Sequence, residues 1–320
     1  MTALFQRLPA LSWHRPLMLL AVAMALLVIW SIGGMIVDDR TLTGLPIWAK
    51  SAKFALSVLI YAVTWAWLFA QLTRWRRIAW WAGTVAALGL AVELIVITTQ
   101  IVRGTTSHFN FTTPLNAALW EVMGSSIVVV WIATLIASAA LFADPATDPA
   151  RNAAIRSGAV LSLAGAALGM LMVPPTPEQR ATGGAISGAH TVGLSDGGPG
   201  LPLLGWSTAG GDLRVPHFLG MHALQVLPLI LLVVEYGSRR IPALRSAQTR
   251  RTLVVIAAAT YTALLTVLTW QALRGQSVVH PDAATLAAFA AIALAAAVIT
   301  AVAMRSKDVV ARHFPVGASR

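Results

Sequence analysis

LMLLAVAMALLVIWSIGGMIV, residues 17–37, carries no charged side chain. A helix needs about 20 apolar residues to cross a hydrocarbon core of roughly 30 Å, and a helix satisfies its own backbone where no water can. The run follows Arg7 and Arg15, as a secretory signal would. It is too long for a signal's apolar region and has no clear small-x-small cleavage site, so it reads as a retained anchor.

Seven further windows have the same character: 52–72, 78–102, 118–142, 157–173, 217–236, 252–273 and 284–304. The chain as a whole agrees, with a mean hydropathy of +0.74 and 11% charged residues in 320, against about a quarter in soluble domains. A soluble globule is excluded. The expected fold is an all-α polytopic membrane helix bundle of about eight transmembrane helices, forming a single transmembrane domain over 1–320.

Basic residues orient such a bundle, because Lys and Arg near span ends stay on the cytoplasmic side. With both termini cytoplasmic, 16 of the 23 Lys and Arg fall inside, from Arg7 and Arg15 through Arg74, Arg76 and Arg77 to Lys307, Arg312 and Arg320. The net charge of +11 therefore speaks for topology and anionic lipid heads and gives no support to a nucleic-acid partner. The absence of cysteine excludes disulfides, thiolate metal sites and iron–sulfur clusters. No nucleotide loop, zinc-protease motif or hydrolase elbow occurs.

One outer connection, 174–216, is long and rich in Gly, Pro and Ser, and a loop of that length is usually functional or disordered. Its apolar Leu201, Leu203, Leu204 and Trp206 predict that it folds back over the outer face as a lid. The third and seventh spans end alike, in Gln100-x-x-Arg103-Gly104 and Gln271-x-x-Arg274-Gly275. This suggests two halves, 1–145 and 150–320, in a four-plus-four repeat. Helix capping alone also explains the pattern, since Arg complements the helix dipole and Gly is the favoured residue past a helix end.

Five of the seven histidines, His108, His190, His217, His222 and His280, lie on the outer side. Ionisable residues inside spans are costly and normally face a cavity or a partner, which singles out Glu93, with Gln100 and Arg103 further along the same helix face. In "GDLRVPHFLGMHALQ" (211–225) Pro216 marks a helix start near Val215, with Asp212 or a neighbour as cap. His222 and Gln225 should share a face directed at Glu93, and His217 should look to the rim with Arg214 and His108. The expected catalytic residues are Glu93, His222 and Glu121. Gln100, Arg103, Asp212, Arg214, Gln225 and Lys53 are expected to bind substrate, and His108, His217 and His222 to hold a metal. Lys50 should snorkel to the interface beside Trp48.

"WAKSAKFALS", "RGTTSHFN", "DGGPGLPLLGWST" and "GDLRVPHFLGMHALQ" resemble a group of bacterial polytopic membrane proteins without a catalytic assignment. That resemblance implies a multi-pass protein of the bacterial cytoplasmic membrane. The four-plus-four plan with outer histidines is also similar in architecture to the haem A synthases. The chain lacks an E-x-x-H-R motif and a second histidine inside a span, so a haem on His222 would need His108, a methionine or a loop residue opposite.

Three functions fit the residues. The first is a metal- or haem-dependent oxidoreductase-type enzyme acting on a small lipid-soluble or extracytoplasmic ligand. The second is a transporter or proton-coupled permease with Glu93 titrating. The third is a non-catalytic subunit or assembly factor with a protein partner.

Overall fold

The computed structural model describes residues 13–313 except 147, with side chains as far as 305. The helices are α1 (Arg15–Val37), α2 (Ala49–Gln71), α3 (Arg76–Val102), α4 (Pro114–Ala143), α5 (Pro149–Leu168), a short α6 (Pro177–Thr182), α7 (Arg214–Met221), α8 (Ala223–Gly237), α9 (Ala247–Leu273) and α10 (Ala283–His313). Among the described residues seven helices are long and apolar enough to cross a membrane, and α7 and α8, bent by 52° where they join, are so only when taken together as one broken segment. The protein is an all-α polytopic helix bundle. Arg7 and Arg320, and the side chains of Lys307 and Arg312, which the charge argument placed inside, lie outside the described residues.

The helix starts follow capping rules. Thr113 precedes Pro114 and accepts from Asn116 N, and Asp148 precedes Pro149 and accepts from Ala150 N and Arg151 N. Each fills the need of helix-start N–H groups for an acceptor. Packing is inside-out relative to a soluble protein. Leu19 is 72% and Ile36 76% exposed on α1, whereas the interior is built largely from small residues such as Ala55, Ala62, Ala86 and Ala133. Close approach of backbones replaces hydrophobic exclusion as the source of helix association in lipid. In the first half α1 packs on α2 and α3 on α4, and in the second α5 packs on α7, α8 and α9 and α9 on α10.

The sixth span is not the continuous helix expected from its hydropathy. It breaks at His222, which has φ −88° and ψ 3° between α7 and α8. Neighbours take up the carbonyls that the break exposes: Ser162 Oγ donates to Met221 O at 2.8 Å and the Tyr261 hydroxyl donates to Leu219 O. Such side-chain rescue is what allows broken helices at membrane depth. Small residues of α5 seat the break, and a Cβ added to Gly165 would lie 2.2 Å from Gly220 C.

The loops gather at two ends. At the basic end Asp144 accepts from Thr73 N and Arg74 N, and Arg250 pairs with Asp148 at 3.0 Å. At the other end the 173–213 segment is stitched down as a roof. Its strand β3 (Thr191–Val192) pairs with β4 (Gly211–Asp212) after a hairpin of β1 (Thr41–Leu42) and β2 (Leu45–Pro46) earlier in the chain. Ser187 N donates to Phe109 O at 2.9 Å, Lys53 Nζ to Leu204 O at 2.7 Å and Ser277 Oγ to Ser207 O at 2.9 Å.

Candidate functional site under the loop roof

Beneath the roof, four elements meet: the start of α2, the 103–113 loop, the 190–196 turn and the middle of α3. Lys50, in the first turn of α2, donates from Nζ to His108 Nδ1 at 3.1 Å. An ammonium only donates, so Nδ1 is the acceptor and a neutral His108 carries its proton on Nε2. The His108 ring lies 6.0 Å, centroid to centroid, from that of His190. Asp196 accepts from His190 Nδ1 at 2.5 Å and from Thr191 N at 3.1 Å. A carboxylate on Nδ1 fixes the tautomer and leaves His190 Nε2 as the basic nitrogen.

Burial pushes His108 well below its ordinary 6.5, and the nearby charges of Lys50, His190 and His217 push the same way. Burial also lowers His190, outweighing Asp196, which acts to raise it. Burial opposes ionisation of Asp196, but the His190 ring, the His190 N–H and the charge of Arg214 together hold its carboxyl well below the usual range. At neutral pH the arrangement is therefore an ionised Asp196 beneath a neutral His190, next to a neutral His108.

At the deep end is Glu93, 3% exposed within α3. Its Oε2 meets no donor, and Lys50 is the charged group in electrostatic range of it. Among the described residues Glu93 is the only carboxylate, lysine or arginine buried inside a span. An unpartnered buried polar atom is rare enough to ask for a role.

The structure rearranges the expected site. His222 and Gln225 do share a face, but it meets α2: His222 Nε2 bonds Ser57 Oγ at 3.2 Å and Gln225 Nε2 donates to Thr64 Oγ1 at 3.2 Å. The break at His222 turns both side chains toward α2, and neither bonds Glu93. His217 looks away from the rim, donating from Nδ1 to Gly165 O at 2.8 Å with its ring over Gly169. Glu121 lies on the exposed face of α4 and does not join the site. Gln100 and Arg103 converge on Asn116 Oδ1, at 3.0 and 2.8 Å, and so tie the end of α3 to the start of α4. Asp212 and Arg214 hold each other at 2.6 Å.

Gln271 repeats the role of Gln100, each side chain donating to the carbonyl six residues on, Ser277 O at 2.9 Å and Thr106 O at 3.3 Å. Gly104 and Gly275 adopt φ 73° and 72°, the left-handed stop that the repeated motif needs.

Among the described residues no three His, Asp or Glu side chains gather to hold a metal ion. The expected trio is split, with His108 on Lys50, His217 on Gly165 O and His222 on Ser57. His222 also has its Nε2 engaged by Ser57 Oγ at 3.2 Å and its ring packed 4.5 Å from that of Phe218, and among the described residues no second histidine stands opposite it for a haem iron. The residues present fit neither group.

Lys50, His190 and Asp196 were missed from the sequence. Lys50 does not snorkel to the interface; it turns inward, half-buried. His190 counts among the outer histidines, but its partner is marked only by a His and an Asp six apart in a Gly-rich turn, a spacing with no secondary-structure meaning of its own.

No protein-family model matches the chain, and neither does a curated protein or a solved structure.

Proposed function

We propose that this protein is a membrane-embedded enzyme that carries out acid–base chemistry on a lipid-soluble substrate. Asp196, His190, His108 and Lys50 form its route for protons from the water side to Glu93. The observation that carries this reading is Glu93 Oε2, buried without a donor at the end of a line of proton-exchanging groups. A substrate atom brought between Lys50 and Glu93, which lie in electrostatic range of each other, would have a proton donor and a carboxyl at hand, the pairing that general acid–base catalysis uses. The roof excludes bulk water and so strengthens both interactions. In a bacterial cytoplasmic membrane with the basic end inside, this site faces away from the cytosol.

The test is incubation of the purified protein, in nanodiscs, with a total membrane-lipid extract, followed by mass spectrometry. Wild type should consume a lipid-soluble compound, and Glu93→Gln and His190→Gln should leave it intact. Equal turnover by all three proteins would remove the reading.

The 52° break at His222 favours a second reading, a proton-coupled carrier, because carriers build sites at interrupted helices. It predicts proton uptake by proteoliposomes that Glu93→Gln abolishes. Against it, among the described residues no carboxylate, lysine or arginine other than Glu93 is buried inside a span, and the other buried titratable group toward the basic end, His14, is held by Trp80 O.

A further inference from the structure

We propose that the cleft beneath the 194–199 turn binds a phosphate-sized oxyanion, the polar head of the substrate. This rests on the enzyme reading above and names the class of molecule that the site takes.

The cleft has a volume of about 260 Å³ and is walled by Leu194, Ser195, Gly198, Pro199, Ser207 and Arg214, among others. That is below the ~300–1,000 Å³ of pockets that enclose whole small ligands, so the cleft suits a head group. Arg214, the cation in its lining, is not fully spent, and Lys53 lies near it. Arg214 gives Nε and Nη2 to Asp212 and Gly205 O, and its Nη1 meets no acceptor among the described residues. Among the described residues Lys53 donates only to Leu204 O, has no carboxylate within ion-pair distance and lies in electrostatic range of both Arg214 and Asp212.

Of the acids nearby, Asp212 is ion-paired with Arg214 and accepts from Ser207 N, and Asp196 has its oxygens turned to His190 and Thr191 by hydrogen bonds. The backbone N–H groups of Leu194, Ser195 and Gly197 donate to nothing within the described residues. Unused backbone N–H groups in a turn beside the free edge of Arg214 form an anion-binding concavity, and Lys53 adds its charge from outside the lining. Asp196 sits in the same turn, so a bound oxyanion would lie beside the water-side end of the proton route.

Two sources supply such a head: an anionic phospholipid from the bilayer, or a free phosphate compound from outside. Titration calorimetry on the full chain in detergent separates them, with inorganic phosphate, short-chain phosphatidylglycerol and short-chain phosphatidylcholine as probes. Binding of inorganic phosphate identifies the free source. Binding of phosphatidylglycerol, without phosphate or phosphatidylcholine, identifies the lipid.

A Cβ at Gly198 meets nothing within 4 Å, so Gly198→Asp adds a carboxylate at the cleft without a clash. It should weaken anion binding at least tenfold, as should Lys53→Gln, while Gly198→Ala binds as wild type does. Absence of binding by either anion, or equal affinity in Gly198→Asp and Gly198→Ala, overturns the proposal. Glu93→Gln should bind the anion normally, so a failed proton route and a failed head-group site give different results.

Discussion

Lys50 Nζ lies 3.1 Å from His108 Nδ1, joining a helix start to the 103–113 loop through two groups that are both basic in water. The pair works only while the imidazole stays neutral, because a protonated ring would place two cations in contact. Lys50→Met removes that repulsion. His108 should then titrate higher, yet still below 6.5, because burial, the larger cause, remains. Histidine-selective nitrogen NMR across a pH series measures this, and an unmoved His108 would show that Lys50 does not govern it.

Stability should fall in mild acid. His108 and His190 both have folded pKa values below their ordinary 6.5. Below that pH the unfolded chain takes up protons that the folded chain refuses, so stability is complete above 6.5 and declines as pH drops below it. Thermal unfolding in detergent should show a plateau at neutral pH and a falling melting temperature toward pH 5. In His190→Gln the decline should be shallower.

The contact between α5 and α7 should tolerate no enlargement. Gly165→Ala would press a methyl against the Gly220 backbone and should cost at least about 3 kcal/mol, above the usual range for overpacking, since backbone cannot rotate away. Gly33 has open space around its Cβ position. Gly33→Ala should therefore be neutral or stabilising by up to about 1 kcal/mol through helix propensity. Melting temperatures of the two variants test this directly.

The broken span depends on its two donors. Ser162→Ala strips Met221 O of its donor, and Tyr261→Phe leaves Leu219 O only its backbone bond from His222 N at 3.2 Å, at a cost of about 0.6–1.7 kcal/mol each. The double variant should lose more than the sum of the two, because both carbonyls belong to one turn. Simple additivity in a denaturation cycle would mean the two ends of the break are independent.

The spans were legible because bilayer thickness translates directly into run length, and Leu17 to Val37 announces itself by composition. The break at His222 was not, since hydropathy averages over a window and cannot register a change of direction. Its cause lies in other helices, in Ser162 and Tyr261, which supply what the broken backbone lacks. Glu93 was legible for the opposite reason: a carboxylate in an apolar run is conspicuous wherever it points. Its neighbours were not, because Lys50 resembles any interfacial lysine and His190 any loop histidine until the chain folds. Arg103 and Gln100 misled because residues sharing a helix face need not share a destination. Asn116 captured both.

The abutting backbones of Gly165 and Gly220 also bear on motion. With α7 packed backbone to backbone on α5 at that point, the kink serves as a bracket for the roof. Any opening that admits a bulky guest must therefore come from the other wall, where α2 touches His222 and Gln225 through only a hydroxyl apiece.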